Sequence, residues 1–287
     1  MALKLLAILI ALGLIAALPQ LARYRRFGLL RGWFAALAGS AAGLALALAL
    51  PAAIAAALAW WLHGVLLGVF GLAFAVAVLV LGFGPRELEA DIDAVLKAPD
   101  AERRSAAGQA LNPEERGEPL AWNAAALVGA TAIAALRRRF SVLFWFFVLG
   151  PAGAVLYRMA RLAAGSDGAA AGLDAAARAR AARVADILDW LPAHLMVLAM
   201  ALAADFDAVL RAWRAWHATP GRTALDPAFL ESIAQAGVNA DVEAGDGYAE
   251  DTADVLGELT DLSHLLGRVL VVWLALAALV VLGGWFA

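Results

Sequence analysis

Of 287 residues, 64% are hydrophobic and 16% charged, and the mean hydropathy is +0.79, which is far from the usage of an ordinary soluble domain. The formal charge of −3 gives no electrostatic case for a nucleic-acid partner. The absence of cysteine excludes disulfides, thiolate chemistry and thiol-ligated zinc. These bounds imply an all-α, polytopic membrane protein whose first partner is the lipid bilayer, with amphipathic and cytoplasmic helices between its spans.

Residues 1–83 form an N-terminal transmembrane region. Met1 to Leu18 carries Lys4 and is then apolar up to Pro19. It fits two templates: a signal peptide, with Ala16-Ala17-Leu18 as a cleavage region, or a short span. Arg23, Arg25, Arg26 and Arg31 follow, and by the positive-inside rule their loop is cytoplasmic. Trp33 to Leu62 is a long apolar run containing Pro51 and ending on Trp60-Trp61, placed as interfacial aromatics are. His63-Gly64 turns the chain, and Val65 to Phe83 returns as a second span. Gly39, Gly43, Gly64, Gly68 and Gly71 permit close helix contact. His63 sits at this turn, where headgroup-level placement explains it better than a ligand role.

Residues 84–140 read as a cytoplasmic helical loop. Gly84-Pro85 and the acids of Arg86-Glu87-Leu88-Glu89-Ala90-Asp91 signal a helix start. Leu88, Ile92, Val95 and Leu96 give that helix one apolar face. A second short helix opens at Glu102-Arg103-Arg104. Asn112-Pro113 and Glu118-Pro119 mark loops. Ala121 to Leu136 is then helical, ending on Arg137-Arg138-Arg139.

Residues 141–217 combine short membrane segments with a charged helix. Ser141 to Leu156 is sixteen residues without a charge, basic at both ends. As a straight helix it reaches roughly 24 Å, against a hydrocarbon core of about 30 Å. Gly150-Pro151-Ala152-Gly153 interrupts it, so it is either a tilted span or a re-entrant segment, packed in both cases against protein. Asp174 to Trp190 is a helix with Arg183, Asp186 and Asp189 on one face. Leu191 to Ala204 is apolar, short for a span and broken at its start by Pro192. Phe206, Val209, Leu210, Trp213 and Trp216 make an amphipathic stripe suited to the interface or to core packing. Residues 218–266 comprise a polar loop, rich in turn residues from Thr219 to Asp246, and an acidic helix through Glu250, Asp251, Asp254, Glu258 and Asp261. Residues 267–287 are the C-terminal span, Val269 to Phe286, with Trp273 and Trp285 near its ends. The count of spans is four to six.

The chain contains no GxxxxGK[ST] phosphate loop, no GxSxG elbow and no HxxxH or HExxH among its four histidines. Asp186 and Asp189, three apart on a helix, have the spacing to share a divalent cation through oxygen ligands. The alternative is an ion pair of Asp186 with Arg183.

Two blocks carry a family resemblance. Leu143-Phe144-Trp145 with Gly150-Pro151-Ala152-Gly153-Ala154 and Tyr157-Arg158 resembles the APLFW...GxPGAxxYK block of the CobD/CbiB cobinamide-phosphate synthases. Ala182-Arg183-Val184-Ala185-Asp186-Ile187-Leu188-Asp189-Trp190-Leu191-Pro192-Ala193-His194-Leu195 is similar to their ARLDDLANWIPARL, and Gly84-Pro85-Arg86 matches in order. The departures fall on the polar positions. The synthases' acidic ESVAEN stretch falls here near Gly129 to Ala134, without acid or asparagine. Their first paired aspartate is Ala185, the arginine of PARL is His194, an asparagine after YK is close to Arg161, and an SPNxG loop is missing around Arg222 to Pro227. ATP-dependent synthesis on a corrinoid needs acids for magnesium and polar groups for substrates.

With those groups gone, the chain more closely resembles the sister AmpE branch. That resemblance implies a bacterial inner-membrane regulatory protein linked to β-lactamase induction and cell-wall sensing, acting through ligand or partner binding. The alternative is a divergent CobD/CbiB-like enzyme working at the cytoplasmic face. The ligand implied is phosphorylated, lipid-linked or muropeptide-like, with a divalent cation or nucleotide as candidate cofactor. The candidate site joins Arg86, Tyr157, Arg158, Arg183, Asp186, Asp189 and His194, converging near the cytoplasmic boundary, or else forms a buried charge network.

The charge pattern yields a topology prediction. Arg86 to Arg139 is cytoplasmic, so a cysteine placed by Ser105→Cys in this cysteine-free chain should resist membrane-impermeant maleimide in intact cells. Labelling from outside would contradict the assignment.

Overall fold

The structure is a computed structural model that describes residues 1–25, 27–84, 86–112, 118–165, 168–220, 225–244 and 254–284. Arg26, Pro85, Pro113, Gly221, Arg222, the Gly245-Asp246-Gly247 turn, Glu250, Asp251, Trp285 and Phe286 lie outside the described residues. Every regular element among the described residues is helical, and the protein is an all-α membrane protein.

In chain order the helices are α1 (Ala2–Ala17), α2 (Arg31–Leu37), α3 (Ala41–Leu62), α4 (Val69–Gly82), α5 (Leu88–Lys97), α6 (Ala101–Gly108), α7 (Ala124–Ala135), α8 (Ser141–Leu149), α9 (Pro151–Ala164), α10 (Ala175–Ala203), α11 (Phe206–His217), α12 (Phe229–Ala244) and α13 (Val255–Leu282). Three of them, α3, α10 and α13, are long and apolar enough to cross a membrane; α1 and α4 are shorter apolar helices. Leu46, Ile54 and Leu58 on α3, and Val271, Leu279 and Leu282 on α13, are exposed as lipid-facing side chains are.

Several boundaries differ from the sequence reading for identifiable reasons. The apolar run from Trp33 to Leu62 is two helices. The Ser40 hydroxyl accepts a hydrogen bond from the Gly43 amide at 3.0 Å and restarts the helix, and a side chain at Gly43 would collide with the Leu37 carbonyl. The three arginines 137–139 do not end a helix: a π-helical turn, Leu136–Phe140, links α7 to α8. The 218–246 stretch contains α12, whose Leu230, Ile233, Ala234 and Val238 supply a buried stripe that polar neighbours obscure in the sequence. The acidic helix and the final span are one element, α13.

Ser141 to Leu156 is a helical hairpin. Gly150 has φ 68° and ψ −152°, a conformation open to glycine and hardly to any other residue, and it separates α8 from α9. A side chain at Gly82 would meet both Val142 of α8 and Ala154 of α9, so the two helices lie against the same neighbour. Arg158 Nη2 reaches the Arg137 carbonyl at 3.5 Å, which brings the two ends of the hairpin together. The segment therefore turns back on itself at Gly150 and is not one straight helix. At the tip, Lys4 Nζ donates to the Phe147 and Val148 carbonyls at 3.2 and 3.0 Å and closes the C-terminus of α8.

Pro192 does not break its helix, since α10 runs unbroken through it. Proline has no N–H, so the Leu188 carbonyl four residues earlier loses its helical partner. The Trp145 indole Nε1–H donates to that carbonyl at 2.9 Å and replaces the lost bond. The tryptophan of one family-like block thus satisfies the defect made by the proline of the other.

The chain divides into two compact units. The first comprises Met1–Glu87, Arg137–Leu188 and Ala277–Ala287. In it α1 packs on α4, α4 on α9, and α3 along α9. Its core around Phe34, Ala47, Leu48, Ala160, Ala163 and Ala181 is rich in alanine, which lets helix axes approach closely where lipid supplies no hydrophobic drive. The second comprises Leu88–Leu136 and Asp189–Leu276. There α12 packs on α7 and α11, and Glu231 occupies the space left by the missing side chain of Gly129.

The tryptophan–proline compensation is testable. Trp145→Phe leaves the half-buried Leu188 carbonyl without its indole donor and should cost about 1 kcal/mol, read as a lower melting temperature in detergent. Adding Pro192→Ala restores an N–H and should recover most of the loss. Equal melting temperatures for wild type and Trp145→Phe would contradict the account.

Candidate functional site

The carbonyl end of α4 is the base of the site. The last carbonyls of a helix have no partner within it and need donors from elsewhere. Arg25 supplies two, from Nε to the Val80 carbonyl at 2.8 Å and from Nη1 to the Gly84 carbonyl at 2.9 Å. Arg158 supplies a third, from Nε to the Gly82 carbonyl at 2.6 Å. Both cations also complement the negative end of the helix dipole. The Gly84 amide donates to the Arg138 carbonyl at 3.2 Å, and a side chain at Gly84 would collide with the Arg138 stem, so the glycine is required here by close approach.

Arg25 is buried, with its side chain 0% exposed, and Nη1 lies 2.6 Å from Glu87 Oε1. Burial lowers the Arg25 pKa from its ordinary value; the Glu87 carboxylate opposes that shift and the neighbouring Arg139 charge adds to it. The guanidinium remains the charged form, because its ordinary pKa lies so far above neutrality. The Arg25 side chain also sits 5.9 Å from the centre of the Phe83 ring, within cation–π range.

A second carboxylate is shared. Asp186 Oδ1 accepts from Arg161 Nη2 at 3.2 Å and lies 3.9 Å from Arg137 Nη2. Arg161 is 5% exposed, and Asp186 is half-buried. By sequence the first unit holds one lysine and thirteen arginines against four acids, a formal charge of +10. The whole chain is −3, so the second unit is −13. A near-neutral total therefore conceals a strongly basic unit and a strongly acidic one.

The sequence-predicted residues are placed as follows. Arg158 and the fully buried Tyr157 lie on α9, and Asp186 on the first half of α10, all within the first unit. Arg86 is exposed in the loop before α5. Arg183 is exposed one turn before Asp186 and is not its ion-pair partner; Arg161 and Arg137 are. Asp189 is fully buried and His194 half-buried, and both belong to the second unit. The two guanidiniums on Asp186 favour the ion-pair reading of that carboxylate over a shared divalent cation. Among the described residues, no group of three or more histidine or acidic side chains has a metal-binding arrangement.

Sequence reasoning missed Arg25, which served there only as a topology marker, and the partners of Asp186. An arginine eight residues past the end of α1, with a glycine-rich helix end elsewhere, is the signal that could have found Arg25. Nothing local marks Arg161, which lies 25 residues from its partner.

No protein-family model matches the chain, and no solved structure does. The chain is 31% identical over 164 residues to the cobalamin biosynthesis protein CobD of Stutzerimonas stutzeri strain A1501. That likeness covers 54% of this chain and 52% of that protein, so the chain spans about half the length of the curated relative it matches. It supports a relationship at the level of the CobD/CbiB superfamily.

Arg25→Ala removes three interactions from a buried position. It should cost about 3–5 kcal/mol, because Glu87 and two helix-end carbonyls lose their donor together. Thermal unfolding of the purified protein would show a large drop, while Arg25→Lys, able to reach fewer of these partners, should fall between. An unchanged Arg25→Ala melting temperature would contradict the cap.

Proposed function

We propose that the chain is a multi-pass inner-membrane protein of the CobD/CbiB kind that binds a phosphorylated, lipid-linked ligand at the basic end of its first unit. Its role in this reading is regulatory or accessory, of the AmpE type, in cell-wall sensing and β-lactamase induction. The observation that supports anion binding is the formal +10 of that unit, with Arg161 and Arg137 sharing one carboxylate; the regulatory role follows from the AmpE resemblance alone. Guanidiniums match phosphate oxygens in fork geometry, and two of them around a single aspartate can accept a further anion. Arg25 and Arg158, tied to the α4 carbonyls, fix the position of the cluster, and Glu87 meets the charge of Arg25.

Two features favour binding over synthase-like turnover. The stretch Gly129 to Ala134, where the synthases carry acids, is a buried apolar face of α7 with a single hydroxyl, Thr131. Arg161, close to a synthase asparagine, has its guanidinium on Asp186. Magnesium-dependent phosphoryl chemistry needs oxygen ligands of the kind these positions no longer offer. The enzyme reading retains one supporting observation, the likeness to CobD over half the chain, which would suit a divergent enzyme acting on a phosphorylated or lipid-linked substrate at the cytoplasmic face.

The test is native mass spectrometry of the detergent-purified protein with a polyprenyl monophosphate and, as control, the matching polyprenol. Saturable binding of the phosphate alone is expected, weakened at least ten-fold by Arg137→Gln with Arg161→Gln. Equal binding of the alcohol, or no effect of the double substitution, overturns the proposal. Separately, the gene should fail to support growth on cobinamide of a strain lacking cobinamide-phosphate synthase; growth would favour the enzyme.

A further inference from the structure

The sequence offers no pair of histidines at metal-binding spacing on one helix, yet the second unit brings two together from different helices. His194 on α10 and His217 on α11 have ring centres 6.1 Å apart. Each occupies the same local arrangement. Trp190 precedes His194 by four residues and Trp213 precedes His217 by four. The tryptophan and histidine rings lie 4.7 Å apart at 41° in one pair and 4.5 Å at 42° in the other. In both, the histidine Nδ1 is bonded to the carbonyl of its own tryptophan, at 2.6 Å for His194 and 2.8 Å for His217.

A carbonyl can only accept, so Nδ1 must carry the proton in both rings, and the lone pair of each neutral imidazole is on Nε2. This is the outer bond that orients metal-ligating histidines, where one ring nitrogen donates to a backbone carbonyl and the other binds the ion. Phe229, 1% exposed, lies 5.0 Å from the His194 ring and 5.7 Å from the His217 ring, and packs against both. The rings are thus fixed in tautomer by the backbone and held in place by aromatic neighbours. An ion bonded to both Nε2 atoms at about 2.0–2.1 Å would hold the two ring centres roughly 5–6.5 Å apart, a range that includes the observed separation.

We propose that His194 and His217 form a two-imidazole site for a first-row divalent cation of the imidazole-preferring class, Zn²⁺ or Cu²⁺. Water completes the coordination, since His217 is exposed to solvent. The site is independent of the anion cluster of the first unit and uses none of its residues.

The experiment uses the full chain in detergent, purified through a tag free of histidine and stripped with chelator, with Cu²⁺ as the probe. Electron paramagnetic resonance should show one saturable equivalent with coupling to two nitrogens, and tryptophan fluorescence should be quenched over the same titration. His194→Gln and His217→Gln should each weaken binding at least ten-fold and leave one-nitrogen coupling, while His63→Gln and His264→Gln change neither readout. His217 is exposed, so its variant carries the test even where His194→Gln disturbs the packing. Non-saturable quenching, or a spectrum and affinity unaltered by His217→Gln, overturns the proposal.

Discussion

Backbone carbonyls that lose their helical partner inside an apolar protein must find another donor within the protein, and the first unit is built around meeting that requirement. Four long side chains meet it at three interruptions. Arg25 and Arg158 close the end of α4, Lys4 closes the end of α8 at the hairpin tip, and Trp145 takes the Leu188 carbonyl that Pro192 leaves open. Each joins elements distant in sequence, so each is both a cap and a tertiary contact. The interruptions are what allow nine- and fourteen-residue helices to fold as a hairpin among longer apolar ones.

The same devices place charge. Arginines that cap a helix end are fixed at the boundary where α4, the π-helical turn and α9 meet, and Arg137, Arg138 and Arg139 are delivered there by the turn itself. Asp186 is the internal counter-ion for two of them. The cluster is therefore scaffold and candidate ligand site together: structural bonds hold the guanidiniums, and the formal charge of the unit makes it attractive to an anion. The CobD likeness supports the membrane scaffold, while the regulatory reading comes from the AmpE resemblance of the sequence and stands as a proposal.

Much of this architecture was legible in the sequence because membrane constraints are strong. Apolar length marked α3 and the end of α13, and Gly150-Pro151 announced the interruption that became the hairpin; the caps at Asp100 and Asn123, which start α6 and α7, emerged only in the structure. Pro192 misled, because its cost is removed by a tryptophan 47 residues away, which no local pattern reveals. The 218–246 region misled because turn residues flank α12 closely and obscure its apolar stripe. In the site, Arg158 and Asp186 were visible through the two family-like blocks. Their true partners, Gly82 and Arg161, depend on tertiary packing, and so did the buried fate of Arg25 in a loop that looked like a simple topology signal.

The central claim is that Arg137 and Arg161 form an anion site in which Asp186 stands as the internal competitor. The direct measurement is the affinity of the purified protein for inorganic pyrophosphate, by calorimetry at fixed ionic strength, before and after Asp186→Asn. That substitution keeps the shape and removes the competing charge. Tighter binding by several-fold, fading as salt is raised, is the predicted result. Unchanged or weaker binding in a variant that melts as a folded protein would contradict the account.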